Sequence, residues 1–116
     1  MEKYLIVIND SPYGNERAYN ALRLAMSLQK RENTQVKIFL MADAVACAKK
    51  GQKTPDGYYN IERMVKAVAA KGAVSTCGTC CEARGMRLEE FCEGVEMGTM
   101  VILTDWTVEA GKVLVF

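Results

Sequence analysis

Residues 3–15 of the chain read KYLIVINDSPYGN, an apolar run that ends in a cluster of turn-forming residues. Both faces of this run are apolar, which is typical of a strand buried in a parallel sheet. Asn15 then precedes a segment, extending to about Arg31, in which alanine and leucine recur at helical spacing. A second apolar run, Gln35 to Met41, follows. Two strands joined by a helix of crossover length predict a right-handed βαβ unit.

The rest of the chain continues this alternation. Asn60 is the predicted N-cap of a helix that ends at Gly72, and Lys112 to Phe116 predicts a final strand. The other predicted elements are short helices at 43–50 and 87–92, a strand at 73–76, a brief pairing at Gly94-Val95 and a helix at 98–110. We therefore expect one domain over residues 1–116, with three α/β/α layers around a mostly parallel, roughly five-stranded sheet of the flavodoxin or Rossmann type.

The composition excludes several classes of partner. The 116 residues carry a net charge of +1, so no strong electric field favours nucleic acid or an anionic membrane surface. The apolar run Leu5–Ile8 is too short to span a bilayer or to serve as a secretion signal. We expect a soluble, cytoplasmic protein that binds neither nucleic acid nor membrane.

The counts of histidine and cysteine narrow the chemistry. The chain contains no histidine, which removes Ser-His and Cys-His pairs and histidine-ligated metals. It contains five cysteines, an odd number, and no recognisable secretory segment. Reduced thiols with a redox or metal-binding role are therefore expected rather than disulfides, and sulfur is the expected site of any reaction.

Three of the five cysteines lie in the segment Cys77–Gly85, CGTCCEARG, directly after the predicted third strand. In an open parallel sheet, sites form at the carboxyl ends of the strands, where this loop and the turns at 10–14 and 41–43 are expected to meet. A Cys-x-x-Cys pair near a helix N-terminus favours the reactive thiolate of its first cysteine, and Arg84 is a candidate positive partner.

The residues by themselves leave four interpretations of this segment open. The Cys-x-x-Cys pair is a dithiol redox couple, or its first cysteine accepts a persulfide beside a resolving thiol, or the cysteines only pack. The fourth is a zinc site, whose ligands are Cys77, Cys80, Cys81 and Cys92. That site lacks a second Cys-x-x-Cys pair, and the turn at 10–14 lacks a nucleotide-binding motif, so neither a metal nor a cofactor is expected.

Aromatic residues add one further candidate feature. They either wall a pocket beside Cys77 or, as we favour, line a subunit interface, where amphipathic aromatic side chains are enriched. The residues concerned are Tyr13, Tyr58, Tyr59 and Trp106.

Several motifs, taken together in their order and spacing, match those of one family. They are Pro12-Tyr13-Gly14, Phe39 to Val45 (FLMADAV), Gly51-Gln52-Lys53, Gly57-Tyr58, Cys77-x-x-Cys80, Arg84-Gly85, Gly94 to Thr99 (GVEMGT), Asp105-Trp106-Thr107 and Lys112 to Phe116 (KVLVF). Over nearly its whole length the chain thus resembles the DsrE/DsrF-like (TusD-like) sulfur-relay family, and most closely its stand-alone YchN-type members.

The resemblance implies an α/β/α fold assembled as a homo-oligomer, a trimer or hexamer. It also implies a cysteine that carries a persulfide between a sulfur donor protein and an acceptor protein. In sulfur-relay members this cysteine lies eight residues ahead of the glycine of an Arg-Gly pair, which here is Gly85, so the position falls on Cys77. Cys80 and Cys81 depart from the best-studied carriers, because a neighbouring thiol can attack a Cys77 persulfide.

We therefore expect Cys77 to be the sulfur carrier and Cys80 to be the resolving thiol. The expected supporting residues are Cys81, Arg84, Gly85 and Tyr13. Two alternatives remain at this point: a Cys77–Cys80 dithiol oxidoreductase, and a non-catalytic oligomeric interaction protein with inert thiols.

Overall fold

Five parallel strands form a single sheet in the computed structural model, which describes residues 1–116. The strands are β1 (Glu2–Ile8), β2 (Thr34–Leu40), β3 (Ala73–Cys77), β4 (Val95–Gly98) and β5 (Lys112–Val115). Their order across the sheet is β4-β3-β2-β1-β5, and every neighbouring pair is parallel. The predicted α/β fold with a five-stranded sheet is confirmed.

Four α-helices and two 3₁₀ helices connect the strands. They are α1 (Arg17–Gln29), α2 (Ile61–Lys71), α3 (Gly78–Ala83), α4 (Met100–Glu109) and 3₁₀ helices at Ala42–Ala48 and Leu88–Glu90. From β1 to β4 the chain crosses the sheet in one direction, and right-handed crossovers place α1, α2 and α3 on one face. The return from β4 to β5 reverses the direction and places α4 on the other face, which makes three layers. None of the helices combines the length and the apolar character that crossing a membrane requires.

Strands β1 and β2 lie in the middle of the sheet and form the centre of the core. Leu5, Ile6 and Ile8 are at most 1% exposed. Helix α1 packs against both strands, and its fully buried residues are Ala18, Ala21, Leu22 and Ala25. Small alanines let the helix approach the sheet closely, and burial of each large apolar side chain stabilises the fold by about 1.5–3 kcal/mol.

Helix α2 begins and ends as the sequence predicts. The Asn60 side chain accepts a 3.1 Å hydrogen bond from the Arg63 amide and is the N-cap, and Gly72 follows the last helical residue. Helix α1 begins slightly later than expected, at Arg17. Asn15 Oδ1 accepts a 2.9 Å hydrogen bond from the Arg17 amide, so Asn15 satisfies this free amide from just outside the helix.

Three predicted elements are wrong in extent or type. Residues 78–83, expected as a loop, form α3, and the brief pairing expected at Gly94-Val95 is the four-residue strand β4. The helix expected at 87–92 is a single 3₁₀ turn. These elements are short and bury few side chains, so no apolar periodicity marks them in the sequence. In α3, for example, Cys81 is the one buried residue.

Strand β4 lies close against β3 because Gly98 has no side chain. A Cβ atom at Gly98 would overlap with Ser75 Oγ, and it would lie 2.8 Å from the Thr76 carbonyl oxygen and 3.0 Å from a ring carbon of Phe39. Gly98 is also the ladder partner of Cys77. This glycine therefore determines how closely β4 approaches the carboxyl end of β3.

We expect Gly98→Ala to lower the free energy of unfolding by about 1–3 kcal/mol, because the crowded Thr76 carbonyl belongs to the backbone and cannot turn aside. Gly111→Ala is the matched control. Its nearest neighbour is Glu2 Oε2 at 3.3 Å, the free end of a flexible side chain. Urea denaturation of both variants measures the difference, and equal losses would contradict the close approach at Gly98.

Candidate functional site

The candidate site lies at the carboxyl edge of the sheet. Strands β1, β2 and β3 are parallel neighbours, so the segments that follow them share this edge. The predicted meeting of the turns at 10–14 and 41–43 with the cysteine segment at one edge is therefore confirmed. The cysteine segment begins here with Cys77, which is the last residue of β3 and the N-cap of α3.

Cys77 and Cys80 form an unequal pair of thiols. Cys77 Sγ accepts a 3.4 Å hydrogen bond from the Cys80 amide, and Cys77 is 9% exposed. Burial opposes ionisation of Cys77, but hydrogen bonds from the thiol and amide of Cys80 and from Thr79 outweigh it and lower the pKa. Burial and the hydrogen bond to Cys77 raise the pKa of Cys80. Cys77 is therefore the stronger acid and the better source of thiolate at neutral pH.

The other three cysteines are buried thiols of high pKa. Burial raises the pKa of Cys81, which lies directly behind the pair on α3, and the pKa of Cys92. Burial raises the pKa of Cys47 to about 12. Among the five thiols, the lowered pKa belongs to Cys77 alone.

The zinc site considered from the sequence is not formed. No group of three or more cysteine or carboxylate side chains is placed to hold a metal ion. Cys92 is drawn away from the other thiols, because its amide donates a 2.7 Å hydrogen bond to the Ala48 carbonyl and its thiol lies near Glu62 and Lys66 of α2.

The Arg84-Gly85 pair ends α3 in a regular way. Gly85 has a φ of +64°, in the left-handed region that favours glycine. Its amide donates to the Glu82 carbonyl at 3.1 Å, and the Met86 amide donates to the Cys81 carbonyl at 2.9 Å. These two bonds make a Schellman motif, which explains the glycine at this position by backbone conformation.

The Arg84 side chain connects α3 to the turn after β2. Its Nε and Nη2 donate to Asp43 Oδ1 at 3.1 and 2.9 Å, and its Nη1 donates to the Cys80 carbonyl at 3.0 Å. Sequence reasoning did not single out Asp43. The available signal was a carboxylate in a turn at the carboxyl edge of the sheet.

The aromatic residues do not wall one pocket beside Cys77. The Tyr13 hydroxyl donates to Gln52 Oε1 at 2.6 Å and accepts from the Ile61 amide at 3.1 Å, and its ring packs near Tyr59. Trp106 belongs to α4 on the other face of the sheet, where its edge contacts Phe39. Trp106 is separated from the tyrosines because α1 and α2 pack on one face of the sheet and α4 packs on the other. Tyr13 as a supporting residue of the thiols stays a prediction.

An open groove of about 670 Å³ lies between α3, the segment that follows α3 and the end of β4, and neither Cys77 nor Cys80 lines it. Gly78, the residue after Cys77, forms part of its wall, and Met86, Leu88 and Met97 supply apolar side chains. Charged residues also line it, namely Glu82, Arg87 and Glu89. The groove gives another molecule room to approach the carboxyl edge next to Cys77.

Fold and site together define a class: small parallel α/β proteins that present a Cys-x-x-Cys thiol pair at the carboxyl edge of the sheet. Residues 2–116 match the DsrE/DsrF-like family, and the chain belongs to that family. Protein YchN of Escherichia coli K12 is 44% identical over 118 residues and both chains are covered in full, which confirms the resemblance to YchN-type members. An uncharacterized protein of Methanopyrus kandleri is 45% identical over 112 residues, covering 96% of this chain and 91% of that protein.

Solved structures agree with this assignment. The crystal structure of YchN from Escherichia coli matches over the full length of both chains with a TM-score of 0.94 and 44% identity. A protein of unknown function from Methanobacterium thermoautotrophicum matches with a TM-score of 0.77 over 97% of each chain. Its identity is 14%, so that likeness concerns the fold alone.

We expect iodoacetamide to alkylate Cys77 at least about tenfold faster than Cys47 or Cys92 at pH 7, because the thiolate is the reacting form. The rate for Cys77 should reach half its maximum below the pH typical of a free thiol, since its pKa is lowered. Peptide mapping by mass spectrometry across a pH series measures each site. In denaturant the five cysteines should react alike, and equal reactivity in the folded protein would point to inert thiols.

Proposed function

We propose that this protein is a sulfur-relay protein in which Cys77 accepts sulfane sulfur as a persulfide and passes it to a partner protein. The observation that carries the proposal is the unequal thiol pair, with Cys77 hydrogen-bonded by the Cys80 amide at 3.4 Å and its pKa lowered while that of Cys80 is raised. Membership of the DsrE/DsrF-like family supports the same kind of chemistry.

The proposed transfer is balanced without an added oxidant or reductant. The Cys77 thiolate attacks the terminal sulfur of a donor persulfide, the sulfur–sulfur bond of the donor breaks, and a Cys77 persulfide and a donor thiolate form. An acceptor thiolate then attacks the terminal sulfur of the Cys77 persulfide and regenerates the Cys77 thiolate. Each step forms one sulfur–sulfur bond and breaks one, so no net electrons are required.

A second candidate function is a Cys77–Cys80 dithiol oxidoreductase, and the effect of each thiol on the pKa of the other favours it. In that case the Cys80 thiolate attacks the Cys77 sulfur of the persulfide, hydrosulfide leaves and a disulfide forms. The raised pKa of Cys80 keeps it mainly protonated at neutral pH, and a protonated thiol is a poor nucleophile. This difference favours a carrier that retains its sulfur until an acceptor arrives.

The groove along α3 is the proposed docking place for the donor and acceptor proteins. Gly78 lies in its wall next to Cys77, and Leu88, which also lines it, is 54% exposed. A large apolar side chain exposed at the mouth of a groove supports contact with another protein.

Further copies of this chain are also proposed partners. Helix α4 is rich in apolar residues, yet none is buried: Met100, Val101 and Val108 are 61%, 69% and 80% exposed. The edge strand β5 that follows exposes Val113 and Val115 as well. Exposed apolar side chains on a helix with no buried residue and on the edge strand after it support self-association, in line with the trimer or hexamer that the family resemblance implies.

The cytoplasm is the proposed location. All five cysteines are free thiols in the structure. A reducing compartment maintains cysteines in this state, and a thiolate carrier depends on it.

Reduced protein mixed with a low-molecular-weight persulfide should gain one sulfur atom, read from the intact mass. Cys77→Ser should abolish the gain, because the accepting thiolate is lost. Cys80→Ser should retain the gain, and the persulfide should persist longer, because the neighbouring attacking thiol is absent.

Cys92→Ala is the matched control for this experiment, since it removes a thiol outside the site and should leave the sulfur gain unchanged. Loss of two hydrogens without added sulfur, abolished by either Cys77→Ser or Cys80→Ser, would establish the dithiol oxidoreductase instead. No change of mass in any variant would refute both functions.

We expect Val101→Asp to dissociate the assembly, because a charge would be placed in an apolar subunit contact. Native mass spectrometry and light scattering measure the change. Asn20→Asp is the control: Asn20 is exposed on α1, on the opposite face of the sheet from α4. A wild-type monomer, or equal behaviour of the two variants, would contradict assembly through α4.

A further inference from the structure

We propose that Asp43 and Arg84 form a clamp that holds α3 in place and so sets the geometry of the Cys77–Cys80 pair. Both are positioning residues, because they act through α3 and do not touch the reacting sulfur. The inference rests on the proposed function, since it gives these residues a part in that thiol chemistry.

Helix α3 needs an anchor from outside. It contains six residues, and a helix of that length does not persist by itself in water. Cys81 is its one buried residue, so packing supplies little support. The hydrogen bond from the Cys80 amide to Cys77 Sγ exists only while this first turn is formed. Whatever holds α3 therefore also holds the donors that stabilise the Cys77 thiolate.

The clamp uses three nitrogens of Arg84. Two of them bind Asp43 Oδ1, at 3.1 and 2.9 Å, and the third binds the Cys80 carbonyl at 3.0 Å. That carbonyl lies in the body of α3, so the guanidinium fastens the helix to the turn after β2. The planar fork of arginine makes this double engagement possible, whereas a lysine ammonium has no such fixed geometry.

The turn after β2 has a backbone shaped for this contact. Ala42 has a φ of +50°, in the left-handed region that alanine rarely adopts, and it directly precedes Asp43. The Ala42 backbone also acts on the Cys80 thiol, where it partly offsets the raised pKa. Through Arg84 the turn reaches the Cys80 carbonyl as well.

A direct charge effect of Arg84 on Cys77 is the competing explanation. The Arg84 charge lowers the pKa of Cys80 and of Cys81, whereas the largest effects on the pKa of Cys77, apart from burial, come from Cys80 and Thr79. The titratable and charged groups closest to the pair are Cys81, Arg84 and its partner Asp43. Glu82, Arg87 and Glu89 line the adjoining groove. Two variants of Arg84 separate the two explanations.

The test follows the alkylation rate of Cys77 by iodoacetamide against pH, together with thermal unfolding. Asp43→Ala, Arg84→Ala and Arg84→Lys should each move the midpoint of the Cys77 profile to higher pH and lower the rate at pH 7 by about three- to tenfold. The double variant Asp43→Ala/Arg84→Ala should shift the midpoint no further than either single variant, because each substitution breaks the same contact. Asp43→Asn keeps an acceptor oxygen for Arg84, so it should shift the midpoint less than Asp43→Ala does.

The ion pair Arg17–Asp10 supplies the matched control. The Arg17 side chain is 71% exposed and that of Asp10 34%, whereas the Arg84 side chain is 34% exposed and that of Asp43 71%. Both ion pairs lie at the same edge of the sheet. Asp10→Ala should leave the Cys77 profile unchanged. The melting temperature should change little in all variants, since exposed ion pairs contribute little to global stability.

Two results would overturn the clamp. A wild-type profile in Arg84→Lys would assign the effect to charge, and a lowered melting temperature with an unshifted profile in Asp43→Ala would assign the pair to stability alone. Alkylation of Cys77 does not require sulfur transfer, so the test of the clamp is independent of the test of the proposed function. A protein that shows the shifts but gains no sulfur refutes the proposed function and leaves the clamp in place.

Discussion

The junction between β3 and α3 is the constraint on which the site depends. Cys77 belongs to both elements: its backbone pairs with Gly98 at the end of the sheet, and its sulfur accepts a hydrogen bond from the free amide of Cys80 in the first turn of the helix. Sulfur is a weak acceptor as a thiol and a much better one as a thiolate, so a capping bond to it favours ionisation. Backbone geometry at this junction thus supplies what a histidine base supplies in other thiol proteins.

The five cysteines illustrate how environment separates identical side chains. Cys47 and Cys77 are both shielded from water, yet burial raises the pKa of Cys47 to about 12 while that of Cys77 is lowered. Cys47 is fully buried and has only its own backbone as a partner, whereas Cys77 is 9% exposed and has hydrogen-bonding partners in Cys80 and Thr79. The pKa of Cys80 is raised instead, because burial and the interaction with Cys77 both favour its protonated thiol. The two thiols thus differ in acidity, although no charged residue is hydrogen-bonded to Cys77.

The groove and the apolar surface adjoin one another along the chain. Strand β4 ends at Gly98, Thr99 lines the groove and caps α4, and Met100 begins the helix with 61% of its surface exposed. Because α4 stands alone on its face of the sheet, its apolar residues have no second helix to cover them. Self-association through this helix would therefore place subunit contacts next to the edge where the thiols lie.

The sequence by itself determined the layout of the fold and the placement of the Cys-x-x-Cys segment at the carboxyl edge of the sheet. The apolar runs of β1 and β2, the Asn60 cap and the alternation of elements predict parallel strands, and parallel strands bring their carboxyl ends to one edge. Such signals are local, because periodicity records which face of an element is buried. Only the tertiary structure decided that α3 forms, that Asp43 meets Arg84 across 41 residues, and that Cys92 and Trp106 lie away from the thiols. Those outcomes depend on the directions of the crossovers and on hydrogen bonds between distant segments, and neither leaves a periodic trace in the chain.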